Sequence, residues 1–573
     1  MRSRVRPEMA PANLHHPLIR PEQRAAIAGV LLYVLMAFIL GLHCPGLEYD
    51  EALLVRGSVH MLHSPAEPLF NHEPGSWVKI GERYWPLMVI PYAGAIKDYL
   101  LVLPVAIFGA SIELARFIAI LLAALGIWGI SRLLQDHLGS GVAWAVAIIL
   151  AVHPAYLSQT IYDSSGEALW MGMVGLVSLS LNRYLKRPSV GASFWLGLAM
   201  GVGIWGRVNF LWFLGASLVA SWIVLRRKIL PSVTCFIAWL AGGALGIAPL
   251  IIYEFASHTA TYGYIMIMRV QSITALIPSR LKMLCQVLLS DPEQRWIWNG
   301  PLMPSWELYF FPVLLSFALL ICLLWKENDN PQRPDGPRWR RITALTFILF
   351  AAVMVFSNLN VTYHHLLDLV PIGAVAVVLA SSALIHRWNA AKIPVLVVGL
   401  IYLSLAMHWD LLAAREIRRT GGVGVWSNAI YSVNDYLRVN YPGCEVKVLD
   451  WGLGYNLVFL SNGTIRQTEL FWEASKEKTG YGLSWKDEVT RGGLYLTHPN
   501  ARLGFPLGTR GFQEALRESG RPFRQWEFTE QNGAPFAELY LVPPLGSCEP
   551  SLRTLPKEVG DANHRVESSY SPR

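Results

Sequence analysis

The sequence predicts a polytopic α-helical membrane protein of about eleven spans, followed by a small extracytoplasmic α/β domain. Three observations carry this. Of 573 residues, 53% are hydrophobic and only 15% are charged, where soluble domains carry nearer a quarter charged residues. Apolar runs of membrane-spanning length recur from residue 25 to about 409, the span domain. From 410 to 547 the composition turns to that of an ordinary globular domain, and the polar tail 548–573, with its Pro and Ser, is expected to be disordered.

The N-terminal stretch 1–24 carries Arg2, Arg4, Arg6, Arg20 and Arg24 ahead of the run 25–42. That run is too long for a signal-peptide core, and no small-x-small site follows it. His43 before Cys44 also spoils a lipoprotein cleavage site. It reads as a retained first span leading outward from a cytoplasmic N-terminus. A long outer segment, 43–111, follows; within it 99–108 is apolar but too short to cross, and reads as an interfacial or re-entrant helix.

Further spans are expected at 112–133, 143–156, 168–184, 194–206, 210–225, 233–255, 306–325, 342–356, 365–384 and 394–409, with a second long outer segment at 256–305. Every inner loop then carries Lys or Arg, while the short outer turns carry almost none, as the positive-inside rule requires. Counting 99–108 as a full span would put Arg132 and the later basic clusters outside. The eleven-span reading therefore places the 410–547 domain outside the cell, on a plasma (inner) membrane. The same clusters account for the formal charge of +8, so no nucleic-acid partner is expected.

Six cysteines show no CxxC or Cys/His metal spacing. Cys235, Cys285 and Cys322 lie in or near apolar stretches. Cys444 and Cys548 bracket the polar domain, where a disulfide and two free thiols are equally open readings. Within that domain a helix is expected near 426–431, and strands at 445–450, 494–496 and 539–542, from their apolar alternation.

On this topology the polar residues that are costly beside lipid gather at one outer face. Asp50 and Glu51, in YDEA at 49–52, follow span one. Lys97 lies in the first outer segment, Asp163 in the turn between spans three and four, and Arg207 in the turn between spans five and six. His364 and His365 stand at the outer mouth of span ten. A carboxylate at the interface can take a proton from an acceptor, and Lys and Arg can neutralise a departing phosphate. Transfer of a group from a lipid phosphate needs that set.

Plainer readings exist for each. Asp50, Glu51 and Asp163 are residue types that cap helices, and Lys97 and Arg207 can anchor helix ends at headgroups. Trp296 and Trp298 read as interfacial aromatics. A divalent ion on Asp50, Glu51, Asp163 and a His stays open, although no metal-ligand spacing asks for one.

The order of YDEA, GERYWPLMVIPYAGAIKDYLLVLPVAIFG, ELARF, HPAYLSQTIYDSSGEAL and GLAMGVGIWGRVNFLW over 47–213, with a weaker echo at TYHHLLDLVP, resembles the GT-C superfamily of polyprenyl-phosphate-sugar-dependent glycosyltransferases. That superfamily includes protein O-mannosyltransferases and lipid A aminoarabinose transferases. The resemblance implies a polyprenyl-phosphate-sugar donor, inversion at the sugar carbon, and an extracytoplasmic glycan, lipid or protein acceptor. It implies that Asp50 activates the acceptor, with Glu51 as its acidic neighbour and Asp163 as the acid of a second outer loop. It turns Lys97 toward the donor phosphate, though the usual Lys-Pro-Pro context is absent, and sets Arg207 where Lys is common. The tandem histidines replace an Arg-Tyr-type start to the late helix.

The competing reading is a transporter or flippase for a lipid-linked glycan. Such proteins place ionisable residues at mid-membrane depth and show internal repeats, whereas here the charges sit at one face. A non-catalytic assembly or receptor protein built around 410–573 is a third, weaker reading.

Overall fold

The computed structural model describes residues 23–63, 75–226, 232–270, 272–300, 305–325, 336–475 and 483–544. The basic stretch up to residue 22, the tail expected to be disordered and Cys548 lie outside the described residues.

Each apolar run forms a helix. Runs one to six correspond to Arg24–Leu40, Ile112–Leu138, the pair Ser140–Ala151 and Pro154–Ile161, Glu167–Lys186, Val190–Gly206 and Phe210–Leu225. The remaining five correspond to Val233–Ala256, Ser305–Leu324, Gly336–Phe356, Leu369–Arg387 and Lys392–Thr420. Among the described residues five helices are long and apolar enough to cross a membrane, and the pair bent by 60° between Ala151 and Pro154 makes a sixth when taken as one span. The break falls where Pro154, which has no N–H to give the preceding turn, opens the second helix behind the cap residue His153. The helices Arg24–Leu40 and Val190–Gly206, of 17 residues each, reach about 25 Å, short of a hydrocarbon core about 30 Å thick. Large apolar side chains such as Leu31, Phe38, Trp222 and Phe236 point outward from this bundle, as lipid-facing surfaces do.

The run at 99–108 lies in the helix Ile96–Phe108, which contains Pro104. One face, with Lys97, Asp98, Leu101 and Val105, is buried, while Leu103, Ile107 and Phe108 are exposed. A short helix with an apolar outer face suits the membrane surface.

The last long helix runs on to Thr420 and ends on Gly421 in the left-handed conformation. Beyond it stands a five-stranded sheet in the order Arg466–Glu469, Glu445–Val448, Gly493–Thr497, Pro535–Val542, Arg524–Thr529. The first three strands are parallel, and the last two pair antiparallel. Helix Ala429–Asn440 covers one side through Ile430, Val433 and Leu437, and helix Pro506–Ser519 covers the other through Phe512 and Leu516. Strands form where 445–450, 494–496 and 539–542 alternate. The two edge strands escape such a reading, because Arg466-Gln467-Thr468-Glu469 has no apolar member and Arg524–Thr529 is largely exposed. Cys444 is disulfide-bonded.

The domain does not stand apart from the bundle. Helix Gly454–Leu460 buries Tyr455 and Phe459 in one apolar cluster with Leu47, Tyr49, Ala52 and Val55 of the first outer segment.

Candidate active site

After span one the chain extends to Glu48 and turns into a short helix, Tyr49–Leu53. The cap is Glu48, whose side chain accepts the backbone N–H groups of Asp50 at 2.7 Å and Glu51 at 3.0 Å. The reading of Asp50 or Glu51 as the cap is therefore corrected, because the residue before the helix already fills that place. Glu51 turns inward and makes a two-pronged ion pair with Arg116, at 2.8 and 2.9 Å. Arg116 also donates to the carbonyls of Leu42, Pro45 and Gly46 and lies 4.7 Å from the centre of the Tyr162 ring. Both side chains are fully buried, so Glu51 ties the outer segment to helix Ile112–Leu138 instead of facing the cleft.

Asp50, one position earlier, lies within electrostatic reach of Glu469 and Glu167. Its carboxyl makes no side-chain hydrogen bond among the described residues. Burial first, then the charges of Glu469 and Glu167, push its pKa up to about 7. A carboxyl held there is poised to exchange a proton near neutral pH.

Lys97 and Asp163, read separately in the sequence, form a buried ion pair at 2.7 Å. The second Asp163 oxygen accepts the N–H of Ala168 at 2.9 Å, so Asp163 satisfies a first-turn N–H of the helix Glu167–Lys186, whose cap residue is Gly166, and is an ion-pair partner as well. Burial raises its carboxyl and Lys97 opposes the rise.

Arg207 is buried and pairs with Glu167 through Nη1 at 2.8 Å. Among the described residues its Nε and Nη2 have no hydrogen-bond partner, and neither do the two carboxylate oxygens of buried Asp368. Local backbone packing fixes Arg207. Val208 donates to Tyr92 O at 3.0 Å, and Trp205 Nε1 donates to Leu87 O at 2.8 Å. A Cβ on Gly94 would sit 2.3 Å from Trp205 O, so only glycine lets the outer hairpin approach this turn. The rings of His364 and His365 lie 4.2 Å apart, tilted at 39°, and His364 meets Ser165 Oγ at 3.2 Å. Both rings, and Asp368, lie within electrostatic reach of Arg207.

The predicted residues thus lie in one chain of neighbours, apart from Glu51. Asp50 feels Glu167, Glu167 holds Arg207, Arg207 faces the histidines, and Asp163 with Lys97 borders Glu167.

The chain is similar in structure to ArnT, a lipid A aminoarabinose transferase, from Cupriavidus metallidurans bound to undecaprenyl phosphate. The TM-score is 0.59 at 12% identity, covering 90% of this chain and 97% of that one. The chain has a GT-C fold. The apo form of the same ArnT gives 0.54 at 13% identity, covering 92% and 100%. The Archaeoglobus fulgidus oligosaccharyltransferase tethered with an acceptor peptide gives 0.50 at 11% identity, covering 93% and 76%. No protein-family model matches the chain, and no curated protein matches it in sequence.

The residues do not fit the divalent ion left open above. Glu51 is committed to Arg116 and Asp163 to Lys97, and no group of three His, Cys, Asp or Glu at metal-holding geometry occurs among the described residues. Four contributors escaped the sequence reading: Arg116, Glu167, Asp368 and Glu469. Arg116 had a signal, since an Arg within an apolar run needs a buried partner. Asp368 lies one turn past the tandem histidines, inside TYHHLLDLVP. Glu469 had none.

Proposed function

We propose that the chain is an integral membrane glycosyltransferase that moves a sugar from a polyprenyl-phosphate donor to an extracytoplasmic acceptor. The observation that carries this is the pair of buried Arg207 nitrogens with no hydrogen-bond partner among the described residues, on a guanidinium paired with Glu167, whose charge also reaches Asp50. A buried cation with unused donors is suited to an anion, and the structurally similar ArnT has undecaprenyl phosphate bound.

In the reaction an acceptor O–H or N–H approaches the anomeric carbon, and Asp50 receives its proton. The new bond forms as the bond from that carbon to the phosphate oxygen breaks, and the electron pair leaves with the phosphate. Arg207, helped by Lys97 and by His364 and His365, stabilises the charge that develops there. Asp163 holds Lys97 in place, and Glu51 holds the helix that presents Asp50. The cleft and the C-terminal domain face outward from the plasma membrane in this reading.

The test is direct. Purified protein is incubated with cell envelope and radiolabelled undecaprenyl-phosphate hexoses and pentoses. Label is expected to move from at least one donor into envelope material. No turnover of any donor would overturn the reading in favour of the flippase.

The pH dependence has a definite sign. The base form of Asp50 is its carboxylate, whose fraction rises with pH through a pKa of about 7. Transfer at low substrate concentration is therefore expected to be about tenfold slower at pH 6 than on its plateau above pH 8. A profile that falls between pH 6 and 8 would contradict Asp50 as base.

A further inference from the structure

The C-terminal domain places a carboxylate against the turn that carries Asp50. The strand Arg466–Glu469 ends beside the acidic helix, where Glu469 Oε1 accepts the Tyr49 hydroxyl at 2.6 Å. The other oxygen, Oε2, accepts the Trp472 indole N–H at 3.0 Å. Tyr49 is also stacked on Tyr455 at 4.5 Å and lies 5.1 Å from Trp451. Arg56 rests 3.7 Å over the Tyr455 ring. A Cβ on Gly454 would sit 2.6 Å from Glu469 Oε1, so this glycine leaves the carboxylate its room. Tyr49 is the residue before Asp50, and a buried carboxylate held at that distance by two donors is a built feature of the interface.

We infer that Glu469 is a positioning residue for Asp50: through Tyr49 it fastens the acidic helix to the C-terminal domain, and it stands as the charged partner in a pair of unlike carboxyls. The inference rests on the role proposed for Asp50 above.

The physical argument is one of unequal surroundings. Both carboxyls are buried, which favours the protonated form of each. Glu469 has hydrogen bonds from Tyr49, Trp472 and Tyr455 and the nearby charge of Arg56 to draw it back toward ionisation. Asp50 has like charges instead, Glu469 ahead of Glu167. When two neighbouring acids differ in this way, the better-solvated one ionises and the other keeps the proton. Burial together with the Glu469 charge therefore holds the Asp50 proton more firmly than an exposed carboxyl would hold it. Asp50 is faced also by Glu48 from its own turn, by Glu167 from helix Glu167–Lys186 and by Tyr92 from the outer hairpin. None of these changes when Glu469 does.

The test reads protonation without donor or acceptor. Dicyclohexylcarbodiimide labels protonated carboxyls in apolar surroundings, and the adduct on the Asp50 peptide is quantified by mass spectrometry across pH 5–9 in the full-length protein. Wild type is expected to lose labelling with a midpoint near pH 7. In Glu469→Gln, which retains an acceptor for Tyr49, the midpoint is expected to fall by about one pH unit. Trp472→Phe removes one donor from Glu469 and is expected to move the midpoint the same way by less, which keeps the question open to measurement if Glu469→Gln folds poorly. A purely structural Glu469 would change the unfolding temperature and leave the midpoint in place. An unmoved midpoint in both variants overturns the inference. A wild type that transfers no sugar overturns the glycosyltransferase reading instead, and the labelling midpoint still decides the pairing.

Discussion

Asp50→Asn is expected to lower sugar transfer by about 10²–10⁴-fold, the usual weight of a positioned general base. The effect belongs in kcat more than in donor KM, because Asp50 is set against the acceptor proton and Arg207 against the donor phosphate. Stability should be nearly unchanged: the Asp50 carboxyl makes no side-chain hydrogen bond among the described residues, and the helix cap belongs to Glu48. Initial rates of label transfer, paired with thermal unfolding of the same preparation, check both halves. Equal rates for variant and wild type would remove Asp50 from the chemistry. The pKa of about 7 adds a second constraint, since the residual activity of the variant should lose the rise with pH.

Arg116→Met has the opposite profile. It leaves the fully buried Glu51 carboxylate without its partner, and breaking a buried pair in this way costs about 3–5 kcal/mol. The carbonyls of Leu42, Pro45 and Gly46 lose a donor in the same stroke, so the link from span one to the acidic helix loosens. The unfolding temperature should fall sharply, and activity should fall with it. Adding Glu51→Gln should recover part of the stability, because the unpaired charge is then gone. A variant that melts with wild type would show that the pair does not hold the segment. The two substitutions together separate neighbours in sequence, Asp50 for chemistry and Glu51 for anchorage.

Much of this architecture was legible in the chain because lipid imposes a coarse code. Each apolar run is helical, and the charges that break the pattern at 50, 97, 163 and 207 do converge. Which charge meets which was not legible. Lys97 and Asp163 are 66 residues apart, and Arg207 and Glu167 are 40 apart; no local period links them, and only the packed bundle brings them together. Glu51 looked like a helper to Asp50 because the two adjoin in sequence. On a helix, adjacent side chains point about 100° apart, and Glu51 went to the buried side. Arg116 was visible as a charge in an apolar run, but its partner could be chosen only in three dimensions. Glu469 sits in a polar edge strand with no apolar alternation to mark it, so neither its strand nor its role could be read.

The Tyr49–Glu469 hydrogen bond joins residues separated by 420 positions. Chain emerges from the ribosome in order, so the acidic helix is made long before the strand that fastens it. Until that strand folds, the turn that carries Asp50 is held by the Glu51–Arg116 pair and the Glu48 cap alone. The contact between the first outer segment and the final domain therefore closes last, and a chain cut short before residue 469 would lack it.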